Sequence, residues 1–345
     1  MDTPLPPLGI RADAGTRMGI GHLMRCLALA QAWRIQNGPV VFFTHTDSPD
    51  LLNRLAQEGI QIERLRHEAG TLSEAREVAF MAGQAGLGWL VADGYHFCSQ
   101  YLAELKNSDT SLLVIDDLAM QDLSAADIVL NENAYAGASM YPSTTRLLAG
   151  STYALLRPEF RRWHEYIRPQ PQEASEILVM LGGSDPENMT KKIIELLAGV
   201  ETPKLKLRVV VGSTNPHVST LRALNPGVHS VEFHLNPPQL PELMHRSDVV
   251  ISAAGSTCWE LACLGLPMLL VVTADNQRRV AASLQELGIA GVLGSNADFP
   301  PPGSLDQILH ILKDQSRRLL MSERGRSLVD GKGASRVVEQ MQLAR

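Results

Sequence analysis

The chain is poor in aromatic residues, cysteine and clustered positive charge. Aromatic side chains make up 5% of its 345 residues, and the formal net charge is −6 at pH 7. Nucleic acid is a poor partner for such a chain, because binding a phosphate backbone requires clustered Lys and Arg. The cysteines stand apart without a C-x-x-C pair, so their spacing favours neither a zinc knot nor a disulfide scaffold and fits a reducing compartment. They are Cys26, Cys98, Cys258 and Cys263.

Long apolar runs are also missing. The longest one, residues 261–274, contains Gly265 and Pro267 and is too short to span a bilayer. The first seven residues lack the basic start and the apolar core of a secretory signal peptide. We therefore expect a cytoplasmic protein without a membrane partner, and we expect a monomer.

What the chain does contain is a regular alternation of short apolar runs and amphipathic segments. Continuous apolar runs are typical of parallel strands that are buried on both faces. In the first half they predict strands at 8–10, 40–43, 89–92, 112–115 and 128–130, with helices at 21–36, 48–58, 71–85 and 98–107. This alternation predicts an α/β protein with a doubly wound sheet.

A polar stretch with two prolines, residues 167–173, interrupts the pattern, which then starts again. The second half predicts strands at 177–181, 207–211, 249–251 and 268–272, with helices at 187–198, 237–245, 257–263 and 276–287. Two domains are expected at this length, because a single core seldom grows past about 250 to 300 residues. We predict Rossmann-like domains at 1–165 and 174–330, a C-terminal helix at 331–345, and a ligand cleft between the carboxyl ends of the two sheets.

A glycine-rich turn lies between the first predicted strand and the first predicted helix. Gly19 and Gly21 allow the backbone to approach a ligand closely, and His22 falls in the first turn of the helix. Histidine titrates near neutral pH, so at this position it can act as a base beside free helix amides. The alternative is that His22 only caps or packs, since Gly-x-Gly by itself is a weak signal.

Residues 252–260 predict a strand, a turn of small residues and a helix. Ser256 or Thr257 is a natural N-cap, and the amides from Gly255 onward can bind a diphosphate. Glu260, one turn into the helix, can accept hydrogen bonds from both hydroxyls of a ribose, because a carboxylate has two acceptor oxygens. A capping box with Glu260 at the third helical position is the alternative interpretation.

Other predicted strand ends also carry polar residues, and loops at these ends are where α/β proteins place functional groups. In the second half these are Gly183, Asn276 and Gln277; in the first half they are Asp93, the acidic pair at 116–117, and residues 131–135. Turn formation alone can also account for each Asp or Asn. The acidic pair has no third ligand at metal spacing, so we expect no metal.

Taken together, these motifs resemble a known enzyme family. The resemblance is carried by Arg11-x-Asp13, Gly19-x-Gly21-His22-x-x-Arg25-Cys26, Asp93-Gly94-Tyr95, Asn131-x-Asn133-Ala134-Tyr135 and residues 153–160, 182–185 and 252–260. Over residues 10–290 the chain is similar to the UDP-2,4-diacetamido-2,4,6-trideoxy-β-L-altropyranose hydrolases of pseudaminic acid biosynthesis. These are relatives of the glycosyltransferase that makes lipid II in peptidoglycan synthesis. The resemblance implies a GT-B fold of two Rossmann-like domains and a place in the nonulosonic acid chemistry of flagellin glycosylation.

The resemblance also implies roles for individual residues. His22 matches the catalytic histidine of the family, and Asp13, Tyr95 and Asn133 match positions around the sugar and the attacking water. The uracil site of such folds follows a middle strand, here at residues 233–236. The implied substrate-binding residues are Arg11, Gly19, Gly21, Arg25, Gly183, Gly255, Ser256, Thr257, Glu260, Asn276 and Gln277.

The implied reaction is an inverting hydrolysis of a UDP-sugar by cleavage of the carbon–oxygen bond. Neutral His22 takes a proton from water as the water attacks the anomeric carbon. The helix amides at 255–257 stabilise the departing UDP without a metal or a cofactor. Two alternatives stay open: a GT-B glycosyltransferase that moves an amino sugar to an acceptor, and a nucleotide-sugar binding protein without catalysis.

Overall fold

The fold is taken from a computed structural model, which describes residues 5–15, 19–106, 110–201, 203–212 and 214–344. The chain divides into two compact units. The first comprises Met1–Pro158 with Gly331–Arg345, and the second comprises Glu159–Asp330. From the sequence we expected the first domain to end at residue 165 and the second to begin at residue 174. The C-terminal helix at 331–345 was expected as a segment separate from both domains.

The first unit contains a seven-stranded sheet in which neighbouring strands run parallel. Its strands are β1 (Leu8–Ala12), β2 (Val40–Thr44), β3 (Gln61–Arg64), β4 (Trp89–Asp93), β5 (Ser111–Ile115), β6 (Ile128–Asn131) and β7 (Leu147–Ala149). They lie in the order β3-β2-β1-β4-β5-β6-β7. The chain order reverses between β1 and β4, and ligands of open α/β sheets bind outside the carboxyl ends of the strands at such a switch point.

The second unit repeats this plan with six parallel strands. They are β8 (Glu176–Met180), β9 (Lys206–Val211), β10 (Ser230–Leu235), β11 (Val249–Ala253), β12 (Met268–Val272) and β13 (Ala290–Ser295). Their order is β10-β9-β8-β11-β12-β13. The switch point of this sheet therefore lies between β8 and β11.

Helices connect the strands of both units. They are α1 (Gly21–Ile35), α2 (Pro49–Gln57), α3 (Leu72–Gln84), α4 (Ser99–Lys106), α5 (Pro158–His164), α6 (Met189–Ala198), α7 (Val218–Arg222), α8 (Leu240–His245), α9 (Thr257–Leu264), α10 (Arg278–Glu286), α11 (Ser304–Lys313), α12 (Gln315–Leu328) and α13 (Gly333–Leu343).

The sheet of the first unit is covered on both faces. Strands β1, β2 and β4 are buried at every position, as their continuous apolar runs predict. On one face, Trp33 of α1 and Val338 of α13 join Ile10 in a single core. On the other face, Val78 of α3 and Tyr101 of α4 pack in a second core. This is the doubly wound arrangement, so the predicted fold is confirmed.

The C-terminal helix α13 approaches the first unit very closely. A Cβ built on Gly333, the first residue of α13, would lie 2.2 Å from the carbonyl oxygen of Ala154. Three apolar residues farther along α13, Val337, Val338 and Met341, are fully buried. The helix is therefore part of the core of the first unit, although it follows the second unit in sequence.

Some elements were not predicted. The missed strands are β3, β7, β10 and β13, which form the two edges of each sheet. The missed helices are α5, α7, α11 and α12. Residues 233–236 were expected in the loop after a middle strand, but 233–235 are the end of β10 and 236 follows it, and β10 is the outermost strand of its sheet. The expected position after a middle strand is therefore wrong.

Candidate active site

The candidate site of the first unit lies at the switch point of its sheet. Strand β4 ends at Asp93, and α1 begins at Gly21. Before the helix, Gly19 has a φ of +76° and pairs with Gly15 in an isolated antiparallel β-bridge. The two backbone hydrogen bonds of this bridge have N···O distances of 2.7 and 3.2 Å. A positive φ favours glycine here. The turn thereby places His22 in the first turn of α1, as predicted, and there it lies against the carboxyl end of β4.

His22 is bound to Asp93. The Nδ1 atom of His22 lies 2.6 Å from Oδ1 of Asp93. Arg25, one turn later on α1, donates from Nε to Oδ2 and from Nη2 to Oδ1 of the same carboxylate, both at 2.7 Å. A carboxylate at 2.6 Å favours the imidazole tautomer with its proton on Nδ1, which leaves Nε2 as the acceptor. Nε2 of His22 is therefore the atom that can take a proton from a reactant.

Charge holds this arrangement together in a buried environment. Asp93 is 0% exposed, and burial favours its neutral form, but the charge and hydrogen bonds of Arg25 and the contact with His22 together outweigh burial. The pKa of Asp93 is consequently held far below its usual range. Burial lowers the tendency of Arg25 to stay charged, yet Asp117 and Asp93 raise the pKa of Arg25 well above its usual value. Arg25 and Asp93 are thus a permanent ion pair beside His22.

Asp117 binds three of the predicted site residues of this unit. It accepts hydrogen bonds from Arg25 Nη1 at 2.9 Å, from Asn133 Nδ2 at 3.0 Å and from the hydroxyl of Tyr95 at 2.8 Å. The Tyr95 ring also meets the His22 ring edge-on, with 4.8 Å between centroids. Tyr95 is 48% exposed, so it lies at the solvent side of the group. The structure therefore brings His22, Arg25, Tyr95 and Asn133 together around two aspartates.

Glu132 is a third carboxyl group near Arg25. It is 2% exposed, its Oε2 accepts a hydrogen bond from the amide of Leu155 at 2.7 Å, and its Oε1 lies 3.5 Å from Arg25 Nη1. Burial raises the pKa of Glu132 to about 7, against the opposing effect of Arg25. The pKa of Glu132 therefore lies near neutral pH, whereas the pKa values of Asp93 and Asp117 are lowered.

Sequence reasoning assigned no role to Asp93, Asp117 or Glu132. Their signal was the acidic residue at or just beyond the ends of β4, β5 and β6. Each could equally be explained by turn formation when taken alone. The shared contact with Arg25 is what distinguishes these carboxyl groups from turn formers.

Asp13 and Arg11 form a neighbouring group at the end of β1. Arg11 is 0% exposed, and its Nη2 lies 2.7 Å from Oδ2 of Asp13, while its Nε donates to Glu74. Oδ1 of Asp13 accepts hydrogen bonds from the amide of His45 at 2.7 Å and from Thr44 Oγ1 at 3.0 Å. Burial opposes ionisation of Asp13, but Arg11 and these donors lower its pKa. Asp13 is thus an ionised acceptor whose described contacts do not include His22.

The switch point of the second unit holds the predicted nucleotide turn. Ser256 is the N-cap of α9, but its side chain makes no capping hydrogen bond. Glu260 is the fourth residue of α9, whereas a capping box requires Glu at the third. The capping-box interpretation is therefore wrong for this helix. Gly255, Ser256, Thr257 and Glu260 are all partly exposed.

The other predicted residues of the second unit follow neighbouring strands. Residues 275–277 form a short 3-10 turn after β12, in which Asn276 is exposed. Gln277 accepts hydrogen bonds from the amide and hydroxyl of Thr273 at 2.9 and 3.0 Å, and its Nε2 lies 4.0 Å from the Cβ position of Gly255. These contacts place the turns after β11 and β12 side by side.

Gly183 lies in the turn after β8. Its carbonyl oxygen accepts a hydrogen bond from Thr214 Oγ1 at 3.0 Å. The nearby Asp185 is buried and accepts from the amides of Met189 and Thr190 at 2.8 and 2.9 Å, so it caps α6. The structure therefore gives Asp185 a helix-capping role.

The described residues contain neither a candidate metal site nor a helix that could cross a membrane. Within ranges 5–15, 19–106, 110–201, 203–212 and 214–344, no group of three or more His, Cys, Asp or Glu side chains is arranged to hold a metal ion. None of the helices formed by those same residues is both long and apolar enough to cross a membrane.

Comparison with known proteins gives one family match and several distant relatives. Residues 177–339, just under half of the chain, match the glycosyltransferase family 28 C-terminal domain. The chain is 27% identical to the spore coat polysaccharide biosynthesis protein SpsG of Bacillus subtilis, over 97% of both chains. It is 25% identical to the UDP-2,4-diacetamido-2,4,6-trideoxy-β-L-altropyranose hydrolase of Campylobacter jejuni, over 81% of this chain and 96% of the relative.

Among solved structures, MurG of Acinetobacter baumannii is similar to the whole chain. The TM-score is 0.71 over 99% of this chain and all of the other, at 16% sequence identity. At that identity the likeness concerns the fold, which is the GT-B fold of two Rossmann-like domains, as predicted.

Proposed function

We propose that this protein hydrolyses UDP-2,4-diacetamido-2,4,6-trideoxy-β-L-altropyranose, or a closely similar UDP-diacetamido sugar, to UDP and the free sugar. The observation that carries the proposal is the pairing of His22 with Asp93 and Arg25 at the switch point of the first unit. A histidine oriented by a buried carboxylate is the arrangement of a general base. The Campylobacter relative supplies the substrate class.

In the proposed reaction, water is the nucleophile. Nε2 of His22 takes a proton from the water as a new carbon–oxygen bond forms at the anomeric carbon. The bond between that carbon and the β-phosphate oxygen breaks, and its electron pair leaves with UDP. Asp93 stabilises the imidazolium that results, because its carboxylate lies 2.6 Å from Nδ1. A base placed in this way accelerates a reaction by about 10²- to 10⁴-fold.

The second unit has the nucleotide-binding role in this proposal. Backbone amides at the start of α9, from Gly255 to Thr257, stabilise the negative charge that develops on the departing diphosphate. Glu260 accepts hydrogen bonds from the ribose hydroxyls, a role consistent with its position outside a capping box. Gln277 lies beside Gly255 and contributes to the same turn.

A glycosyltransferase is the second candidate function. The match to a glycosyltransferase family supports it, and the MurG-like fold is compatible with it, because a GT-B scaffold serves transfer as well as hydrolysis. In that case His22 would take the proton of an acceptor hydroxyl in place of water. The two functions differ in the second substrate, which is water for hydrolysis and an acceptor with a hydroxyl group for transfer.

The decisive experiment incubates the purified protein with a panel of UDP-diacetamido sugars in the absence of any acceptor. We expect continuous release of UDP, a loss of about 10²- to 10⁴-fold in kcat for His22→Asn, and nearly unchanged UDP binding by calorimetry. His310→Asn, which changes an exposed histidine of the second unit, serves as the matched control and should behave as wild type. Absence of UDP release from every sugar would contradict hydrolysis. Full activity of His22→Asn would contradict the role of this residue.

A further inference from the structure

The group around Arg11 contains buried donors that the first unit does not use. The guanidinium is fully buried, with Glu74 on its Nε side and Asp13 on its Nη2 side. Its Nη1 atom has no hydrogen-bond partner among the described residues. A buried donor without a partner is costly, so this atom marks a position where an acceptor from outside the chain would be stabilising.

Two imidazoles border the same group. Nε2 of His96 lies 3.8 Å from Oδ2 of Asp13, and Nε2 of His45 lies 3.8 Å from Oε1 of Glu74. Both nitrogens are buried, and within the described part of the chain neither has a hydrogen-bond partner. The two side chains are 26% and 27% exposed, so both imidazole side chains reach the surface although their Nε2 atoms do not. Three unused polar atoms therefore surround an ionised carboxylate at the end of β1.

The charges of this group restrict what it can bind. Arg11 contributes one positive charge, and Asp13 and Glu74 contribute two negative charges. Burial lowers the pKa of His96, and the charge of Arg11 acts in the same direction, so His96 is neutral at pH 7. An anion is disfavoured by the net negative charge. An ammonium ion brings only donors and leaves Nη1 of Arg11 unpaired. A neutral group with both an acceptor and a donor fits best.

The group lies beside the candidate base. Asp13 follows β1, and His96 follows β4, which are the two strands that flank the switch point. Asp93, the partner of His22, is the last residue of β4. Tyr95, whose ring centroid lies 4.8 Å from that of His22, is the residue directly before His96. A sugar held for attack near His22 would therefore reach this group with one of its ring substituents.

We propose that Arg11, Asp13 and His96 form a subsite for the acetamido substituent at C4 of the sugar. The carbonyl oxygen of the acetamido group accepts hydrogen bonds from Arg11 Nη1 and from His96 Nε2. The amide N–H of the acetamido group donates to the carboxylate of Asp13. His45 closes the subsite on the side of Glu74. This inference rests on the proposed function and adds to it the residues that select an acetylated sugar over its free amine.

The test compares two substrates that differ in one acetyl group. They are a UDP-2,4-diacetamido-2,4,6-trideoxy sugar and its UDP-2-acetamido-4-amino counterpart, and the readout is the ratio of their kcat/KM values. We expect wild type to favour the diacetamido sugar at least tenfold, and His96→Ala to reduce that ratio about tenfold, as expected for loss of a hydrogen bond to a neutral group. His96→Gln should retain most of the ratio, because its side-chain amide can still donate. His310→Ala should leave the ratio unchanged.

The outcomes separate this inference from the proposed function. A ratio is independent of the fraction of folded enzyme, so a poorly folded His96→Ala sample does not mimic the effect. An unchanged ratio in both His96 variants, or a wild-type preference for the amine, would overturn the subsite while hydrolysis stands. Failure of wild type to release UDP from either sugar would overturn the proposed function and the subsite with it.

Discussion

Replacing Asp93 by asparagine should impair both catalysis and the stability of the first unit. The substitution keeps the shape of the side chain but removes the charge that faces His22 Nδ1 and Arg25. Arg25 takes up the remaining oxygen, so the new amide group donates toward Nδ1 of His22. That contact favours the tautomer with its proton on Nε2, which cannot accept a proton from water. We expect kcat for UDP release to fall about 10²- to 10⁴-fold.

The stability cost follows from the same contacts. Removing one partner of a buried ion pair costs about 3 to 5 kcal/mol. Asp117 still binds Arg25 Nη1 at 2.9 Å and Nη2 at 3.1 Å in the variant, so the lower end, about 3 kcal/mol, applies. Urea unfolding followed by circular dichroism measures this loss, and steady-state UDP release measures kcat.

Asp117→Asn is the matched control for this prediction. It also removes a buried charge from Arg25, but it leaves the bond between His22 and Asp93 in place. We expect a similar loss of stability and a far smaller loss of kcat. Equal losses of kcat in the two variants, or an Asp93→Asn enzyme within threefold of wild type, would refute the role of Asp93 in orienting the base.

Three further predictions concern other parts of the chain. Because burial raises the pKa of Glu132 from 4.5 to about 7, this residue stabilises the fold below pH 4.5, and the roughly 2.5-unit difference removes about 3 kcal/mol as pH rises to 7. In Glu132→Gln, the free energy of unfolding measured in urea should not show that decline between pH 5 and 8. Parallel pH profiles for wild type and Glu132→Gln would contradict this prediction. Gly333→Ala should destabilise the first unit by about 1 to 3 kcal/mol, because the new methyl group meets the backbone of Ala154. Gly83→Ala is the control, since a Cβ at that position meets no atom within 4 Å. Equal unfolding curves for the two variants would argue against the close contact at Gly333. Glu260→Ala should weaken UDP binding at least tenfold by calorimetry, since charge-assisted hydrogen bonds to the ribose are lost, and an unchanged Kd would exclude this role.

The central strands and their helices could be predicted from the sequence, whereas the edges could not. Strands such as β1 and β4 are buried on both faces and therefore carry continuous apolar runs. The outermost strands face solvent on one side: β3 reads Gln-Ile-Glu-Arg and has no fully buried residue. Such short, mixed segments have the composition of loops, and only pairing with a neighbour makes them strands.

The candidate site shows the same limit. The position of His22 in the first turn of α1 followed from local sequence, because glycines and a helical apolar face stand next to it. Its partner Asp93 is 71 residues away, and Arg25 is 92 residues from Asp117. Only the strand order, which places β4 beside β1, brings these residues together. That Nη1 of Arg11 lacks a partner among the described residues depends on burial, which a single sequence does not reveal.

The central claim is that water activated by His22 attacks the anomeric carbon of a UDP-sugar. Turnover in ¹⁸O-water tests this claim most directly, with mass spectrometry of both products. We predict that the label enters the released sugar and that UDP contains none. Label in the phosphate of UDP would show attack at phosphorus and would contradict the proposed mechanism.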